Sequence, residues 1–441
     1  MKLQRLNRGL VRPGLAFAGL VMLLALPGAY GQAGRRLTIT AAYQQARQNY
    51  PLIRQRDLIA RSGSYSVINA SRGYLPVLSI NGQATYQSTV TSFPFSIPIP
   101  GFTIPKYSRD QYKINVQVDQ VIYDGGLINN QRQSARATEA EQQQSLEVSL
   151  YTLYDRVNQL YFGVLLITEQ LRQNDLLKRD IQNGIEKAKA LVAGGTAYRS
   201  SVDELTAQLL QAEQARIDLS AERKAYLGML GLLIGVPVDE NTILEKPALP
   251  MLSVEISRPE IQLYEDQKKM DDLQVGLLKA QLRPRLGLFA QEGYGRPGLN
   301  PLSNAFAWYY IGGVKLSWNL GGWYTFKNQK ELLRIHQKTL DIQKETFLFN
   351  TEITRKQQLA DIEKYRELFK NDQAIIALRE SVKKAAAAQL ENGILSAHDY
   401  ISQVNAEDQA RQNLILHQIQ LLQEAYNYQN TTGNLQKQAN P

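Results

Sequence analysis

Two aspartates lie in matching short segments, and their carboxylates are the best candidates for chemistry in this chain. Ser200 to Asp203 and Ser396 to Asp399 each follow a glycine-containing stretch and each have the spacing Ser-x-x-Asp. In that spacing the serine and the acid can satisfy exposed backbone N–H groups at the start of a helix. The same carboxylates could also project into an aqueous passage, and the sequence leaves both roles open.

Other reactive side chains are few, and catalysis is not expected. His336, His398 and His417 lack the close spacing of a metal site and are interpreted as solvated helix residues. The chain has no cysteine, which excludes disulfides and thiolate chemistry. Neither a glycine-rich phosphate loop nor a nucleophile elbow is present in the sequence. We therefore expect no enzyme activity, no cofactor and no bound metal.

The two aspartate segments belong to an internal repeat, in which Gly125 and Asp203 recur as Gly321 and Asp399. The distance along the chain from glycine to aspartate is the same in both copies, which predicts two hairpins of equal depth. A long internal period of this kind indicates a duplicated structural unit. We expect a first unit at 32–245, a second unit at 256–434, and a disordered tail at 435–441.

Residues 1–31 have the pattern of a secretory signal peptide. Four basic residues precede an apolar run from Leu15 to Leu26, and the small residues that follow predict cleavage before Gln32. The run is shorter than the roughly 20 residues of a membrane-spanning helix. The formal charge of +9 falls to about +5 without this segment, with both signs interspersed, so nucleic acid binding is not expected.

Two pairs of segments alternate between apolar and polar residues, as strands with two different faces do. The first pair lies within 77–124 and the second within 285–320, and a proline-containing loop separates the members of each pair. The apolar series includes Leu78, Ile80, Ile114, Val116, Leu286, Leu288, Val314 and Leu316. The polar series includes Lys113, Asn115, Gln117, Asp119 and Lys315.

Long proline-free stretches follow each strand pair and predict helices. The stretch from Leu127 to Val192 corresponds to roughly 100 Å of helix at 1.5 Å per residue. Leucines and valines between Leu146 and Leu171 recur at 4-3 spacing, which is typical of a coiled-coil seam. The matching stretch of the second copy is 323–391. Each long helix is expected to turn at a glycine, at 194–195 or at 393, and to return as a second helix.

The strands pose a physical problem, because four strands cannot close a barrel and lipid does not tolerate an open sheet edge. If the apolar faces meet lipid, three chains would supply twelve strands, an even number typical of outer-membrane barrels. The polar series would then line a wet pore. An interfacial aromatic girdle would comprise Trp308, Trp318, Trp323 and Tyr123. A soluble four-stranded sheet covered by a helix is the alternative.

The layout resembles that of the TolC-like outer-membrane efflux proteins over about residues 38–433. The resemblance depends on Leu75-Pro76 before a strand, on the stretch from Val118 to Gly126, and on glycine-to-aspartate turns at 195–203 and 393–399. It implies a mainly α-helical fold with a small β part. In that fold, a homotrimer forms a twelve-stranded outer-membrane β-barrel continued by a twelve-helix periplasmic α-barrel.

The same resemblance implies a location and a set of partners. The location is the cell outer membrane, where the protein contacts lipid and extends into the periplasm. The partners are a periplasmic adaptor (membrane fusion) protein and an inner-membrane pump, in a tripartite efflux or type I secretion system. Drugs, metal ions, metabolites and proteins all stay open as cargo.

In the best-known members of this family, two acids three residues apart form the constricted entrance, and an arginine four residues before the first acid takes part in the closed gate. The first acid matches Asp399, but the second position is Ser402 and the arginine position is Leu395, so a double acidic ring is not expected. Arg199, four residues before Asp203, could supply the missing contact. The tips that meet the adaptor match Gly194, Gly195, Thr196, Gly393, Ile394 and Leu395.

A rival hypothesis is a secreted or periplasmic coiled-coil scaffold without transport activity. It accounts for the long helices but leaves the four alternating strands without a role.

Overall fold

The computed structural model describes residues 36–90, 108–300 and 303–434. The predicted signal peptide at 1–31, the predicted tail at 435–441 and most of the first proline-rich loop lie outside the described residues. None of the described helices combines the length and the apolar character needed to cross a membrane.

Most described residues are helical, and a minority form strands, so the fold is mainly α with a small β part. The helices are α1 Ile39–Asn49, α2 Gln55–Ser71, α3 Leu127–Tyr151, α4 Leu153–Ala193, α5 Arg199–Ile234, α6 Pro259–Gln281, α7 Trp323–Glu391 and α8 Ala397–Thr432. The strands are β1 Arg36–Leu37, β2 Val77–Tyr86, β3 Asp110–Tyr123, β4 Ile243–Leu244, β5 Arg285–Arg296 and β6 Ala307–Ser317.

The proline-free stretches form the long helices that their composition predicts. Helix α7 runs for 69 residues without a break, which corresponds to about 100 Å. Its counterpart in the first copy is divided at Thr152 into α3 with 25 residues and α4 with 41 residues. Thr152 keeps helical backbone angles, so the two segments follow one another closely.

Strands from both copies join in one antiparallel sheet of order β2-β3-β5-β6. The two hairpins of strands meet where β3 pairs with β5 over most of its length, with an irregularity between Val121 and Tyr123. Strands β2 and β6 therefore lie at the two edges. The short strands β1 and β4 form a separate parallel pair.

The helices pack side by side in a fixed order. Near the sheet, neighbouring helices contact each other in the order α2, α3, α6, α7. Toward the hairpin turns, the order is α5, α4, α8, α7. One hydrophobic core forms where α1 meets α4, α5 and α8, and a second forms at the far ends of α4, α5, α7 and α8. The second core fixes the position of the two hairpin turns relative to each other.

The equal depth predicted for the two hairpins is wrong by two residues. The first residues of α3 and α7 are separated by the same number of residues as Gly125 and Gly321, which is the period of the repeat. The left-handed glycines that end the helices, Gly195 and Gly393, are two residues further apart than this period. Helices α5 and α8 begin at the same wider spacing. The second hairpin is therefore longer by two residues, or about 3 Å of helix.

Candidate functional site

The register of the sheet places the two predicted series on opposite faces. Directly paired residues share a face, and the pairs Leu78–Val118, Ile80–Val116 and Val118–Ala290 connect apolar side chains across three strands. The pairs Leu288–Val314 and Leu286–Leu316 extend the same face to β6.

The opposite face carries the side chains predicted to line a pore. Asn115 lies opposite Asn81 and accepts a hydrogen bond from its side-chain amide at 3.3 Å. Gln117 donates to the Asp119 carboxylate at 2.8 Å. Lys113 lies between Gln83 of β2 and Gly295 of β5, and Lys315 lies opposite Gly287.

The apolar face is uncovered in the single chain. Ile80 is 71% exposed and Leu316 is 69% exposed. No described helix packs along this face of the sheet. Glu292 breaks the apolar series, because it pairs with Val116 and Tyr310 on the same face. Its neighbour on β6 is the aromatic Tyr310 rather than an aliphatic residue.

Aromatic side chains lie at both ends of the sheet. At the end far from the helices, Trp308 is 73% exposed and contacts Tyr294 with 5.2 Å between ring centroids. At the helical end, Trp318 donates from its indole N–H to the Leu282 carbonyl at 2.8 Å. Tyr123 is the last residue of β3 and Trp323 the first of α7.

The passage from strand to helix in the first copy depends on Asp124. Its carboxylate is buried and accepts from the backbone N–H groups of Gly126 at 2.8 Å and Ile128 at 2.6 Å. Gly126 adopts a positive φ of 87°, which favours glycine because it has no Cβ. These bonds satisfy N–H groups at the start of α3 and fix the angle between sheet and helix.

The hairpin turns have the predicted glycine geometry. Gly195 and Gly393 have φ values of 73° and 70°, in the left-handed region that ends helices. Thr196 and Ile394 then donate backbone bonds back to carbonyls of the preceding helix, each at 2.9 Å. Tyr198 is 85% exposed and Ile394 is 77% exposed, so each tip presents an apolar side chain to solvent.

The serine cap expected from Ser-x-x-Asp is present in one copy and absent from the other. In α8 the Ser396 hydroxyl accepts from the Asp399 N–H at 3.0 Å and donates to the Asp399 carboxylate at 2.7 Å. In the first copy, α5 already begins at Arg199, after Tyr198 at the N-cap. Ser200 and Asp203 therefore lie inside the helix.

The other gate candidates lie in the first turns of the same two helices. When the two hairpins are aligned at Gly195 and Gly393, the position equivalent to Asp399 is Ser201 and not Asp203. Arg199, Asp203 and Ser402 are not buried, and within the described residues Arg199 and Asp203 do not bond to each other. Leu395 is partly buried against the core at the tips.

His336 and His398 are solvated as predicted, with side chains 58% and 76% exposed, whereas His417 is only 18% exposed. Each histidine also contacts a carboxylate of a neighbouring helix through Nδ1. His336 contacts Asp271 of α6 at 2.7 Å, and His417 contacts Asp372 of α7 at 2.6 Å. His398 of α8 contacts Glu204 of α5 at 2.8 Å. The sequence gives no signal for these pairs, since the partners are 45 to 194 residues apart.

A cluster of charged side chains around the buried Glu407 was also not predicted from the sequence. Lys383 of α7 donates to Asp180 of α4 at 2.7 Å and to Glu407 of α8 at 3.2 Å. Glu407 is 2% exposed and also accepts from Arg411. Burial disfavours the charged form of Lys383, but the hydrogen bond from Lys383 to Asp180 and the charges of both acids outweigh it and raise its pKa. The cluster ties the two hairpins together above their tips.

Within the described residues, no group of three or more His, Asp or Glu side chains is placed to hold a metal ion. The arrangement instead offers a two-faced sheet at one end and a pair of joined hairpin tips at the other. It can divide apolar from aqueous surroundings and carry charged side chains at the hairpin tips.

Comparison with known proteins gives a family and a fold. Residues 42–236 match the model of the outer membrane efflux protein family. No curated protein matches the chain in sequence. The resemblance to the TolC-like outer-membrane efflux proteins that the sequence predicted is confirmed, and so is the predicted location in the cell outer membrane.

Several solved channel structures share the fold. One is CusC, described in relation to transmembrane channel formation, at 15% identity, covering 89% of this chain and 91% of that chain, with a TM-score of 0.66. VceC from Vibrio cholerae is 14% identical, covering 90% and 95%, with a TM-score of 0.63. The open state of MtrE from Neisseria gonorrhoeae is 16% identical, covering 90% and 89%, with a TM-score of 0.61.

Proposed function

We propose that this TolC-like outer-membrane efflux protein is the passive export channel of a tripartite efflux or type I secretion system. The observation that carries the proposal is the uncovered apolar face of a sheet whose other face is polar. Exposed apolar surface of this extent marks a surface that meets lipid or a partner.

The sheet alone is an incomplete wall. Strands β2 and β6 each leave one edge unpaired, and unpaired edges are costly in lipid. Pairing β2 of one copy with β6 of the next is a head-to-tail contact, which closes into a ring when the rotation allows. Three copies would give a twelve-stranded barrel with Lys113, Asn115, Gln117, Asp119 and Lys315 toward its lumen.

The exposed apolar residues of the helices support the same assembly. Helix α7, at one edge of the helix layer, exposes Phe349 and Leu378 by 65% and 70%. Helices α2 and α5, at the other edge, expose Tyr65 and Ile217 by 66% and 64%. In a ring of three copies, these two edges would face each other and form a twelve-helix tunnel.

In this assembly the hairpin tips form the periplasmic entrance. We assign the gate to Asp399, Ser402, Arg199 and Asp203, and the adaptor contact to the glycine turns with Thr196, Ile394 and Leu395. The aromatic residues Trp308, Trp318, Trp323 and Tyr123 would lie at the lipid boundaries. Cargo would enter from an inner-membrane pump through the adaptor, and the wall of the channel performs no chemical step on it.

A periplasmic scaffold explains the helices equally well, but it leaves Ile80 and Leu316 in water. The two functions differ in a matched pair of substitutions on β2. Ile80→Arg places a charge on the apolar face, and Asn81→Arg places the same charge on the polar face. A lipid-facing arginine costs about 2–4 kcal/mol near the bilayer midplane.

We expect the wild-type protein in the outer-membrane fraction, as a heat-modifiable trimer that conducts ions in planar bilayers. Ile80→Arg should reduce the folded, membrane-inserted fraction, whereas Asn81→Arg should insert normally and change the conductance. A protein that stays soluble in the periplasm, or equal insertion of the two variants, would contradict the proposal.

A further inference from the structure

Among the three histidine–carboxylate contacts, one joins the two hairpins. His336 connects α6 with α7, and His417 connects α7 with α8 inside the second hairpin. His398 lies in the first turn of α8, and its partner Glu204 lies in α5 of the first hairpin. The two residues are 194 positions apart in sequence and meet at the tips.

The surroundings of this contact leave it open to solvent but held in place. The side chains of His398 and Glu204 are 76% and 38% exposed, so protons reach the pair freely. The neighbouring residues Ala397 and Leu205 are buried in the core that α4, α5, α7 and α8 share at the tips. The backbone on both sides is therefore fixed, and Glu204 stays within reach of the imidazole.

The charged groups that act on His398 come from two elements. Glu204 of α5 bonds to it, and Asp399 follows it in α8. At this level α4 and α7 contribute Lys187 and Glu391, which pair with each other at 2.8 Å. The first turns of α5 add the charges of Arg199 and Asp203.

We propose that His398 and Glu204 form a proton-dependent latch, which adds to the contacts that hold the two hairpin tips together at acidic pH and is lost at alkaline pH. The inference rests on the proposed export channel, because the latch acts on the entrance of that channel. Protonated His398 forms an ion pair with Glu204 across the hairpins. Neutral His398 can still donate a hydrogen bond to Glu204, but the attraction between opposite charges is lost.

The direction of the pH effect follows from the pKa of His398. The hydrogen bond to Glu204, with the charges of Glu204 and Asp399, raises this pKa above its ordinary value. A histidine with a raised pKa contributes stabilisation that is complete below its ordinary pKa of about 6.5. That stabilisation is lost as the pH rises through the raised pKa. The latch is thus closed in an acidified periplasm and open in an alkaline one.

The test is the conductance of the purified trimer in planar bilayers between about pH 5.5 and pH 8.5, the range in which histidine titrates. For the wild type we expect the open-to-closed ratio to rise about 2-fold over this range, in keeping with an exposed ion pair. His398→Gln and Glu204→Gln should abolish the rise. His398→Lys should keep the low acidic ratio throughout, since lysine stays charged to about pH 10.

His417→Gln is the matched control, because it removes a histidine contact that does not join the hairpins. It should keep the wild-type pH profile. A pH profile of His398→Gln equal to that of the wild type would overturn the latch while leaving the export channel standing. Absence of conductance at every pH in a folded wild-type trimer would instead overturn the channel.

Discussion

The two hairpins have the same order of helices, yet their returning helices α8 and α5 take different positions. Helix α8 lies between α4 and α7 and buries residues along its whole length, from Ala397 to Thr432. Helix α5 packs mainly against α4 and buries few residues between its first turns and its last. Each hairpin therefore supplies one inner helix and one edge helix, but the inner helix is the returning helix α8 in the second hairpin and the descending helix α4 in the first.

The ion pairs of the two hairpins also differ in how deeply they are buried. In the second hairpin, Glu407 is buried between Lys383 and Arg411. In the first hairpin, Lys178 pairs with Glu213, whose side chain is 42% exposed. Position 213 corresponds to position 411 at the spacing that separates Gly195 from Gly393. The same level therefore carries a surface ion pair in one copy and a buried cluster in the other.

Removal of one buried charge should therefore have the largest effect. Glu407→Gln removes the buried anion that Lys383 and Arg411 share and leaves them only Asp180 and Glu380, and we expect a loss of about 3 kcal/mol in the free energy of unfolding. Glu213→Gln should change stability little, because water screens its pair. Unfolding followed by circular dichroism in detergent checks both, and equal losses would remove the distinction between the hairpins.

The contact between the hairpins should be the next most sensitive feature. Tyr400 of α8 is 3% exposed, donates to the Asp180 carbonyl at 3.0 Å and covers Gly184 of α4. A Cβ at Gly184 would lie 2.5 Å from Tyr400 Cε1, so Gly184→Ala should displace the ring at a cost of about 2 kcal/mol.

Gly228→Ala in α5 is the control for that substitution, because nothing lies within 4 Å of the added methyl group. Alanine favours helix over glycine, so this variant should be unchanged or more stable. Destabilisation of both variants to the same extent would mean that the helix–helix contact at Gly184 has no special role.

The smallest effect should come from the helix caps. Ser396→Ala removes the hydroxyl that caps α8 and should cost about 1 kcal/mol. Tyr198, at the same position of α5, makes no side-chain cap, so Tyr198→Ser should add stability. The same unfolding measurement tests both signs, and stabilisation by Ser396→Ala would contradict the comparison.

Local patterns were sufficient to predict much of this fold. The alternation from Leu78 to Tyr86 and the absence of proline over 323–391 correspond to β2 and α7. Gly195 and Gly393 were recognisable as turns because a left-handed backbone conformation favours glycine.

Features that depend on contacts between distant segments were not predictable. Glu204 and Asp180 carry no local signal of their partners, since His398 and Lys383 approach them only after the hairpins pack.

The central claim is that the hairpin tips form the entrance of an export channel. The chain contains no cysteine, so a thiol reagent will modify only a cysteine that is introduced by mutation. In planar bilayers, a charged thiol reagent added to Asp399→Cys should reduce the conductance, because it enlarges a side chain at the proposed entrance. Ser220→Cys, on the exposed surface of α5, should react without a comparable effect. Complete modification of Asp399→Cys, verified by mass spectrometry, with unchanged conductance would contradict the account.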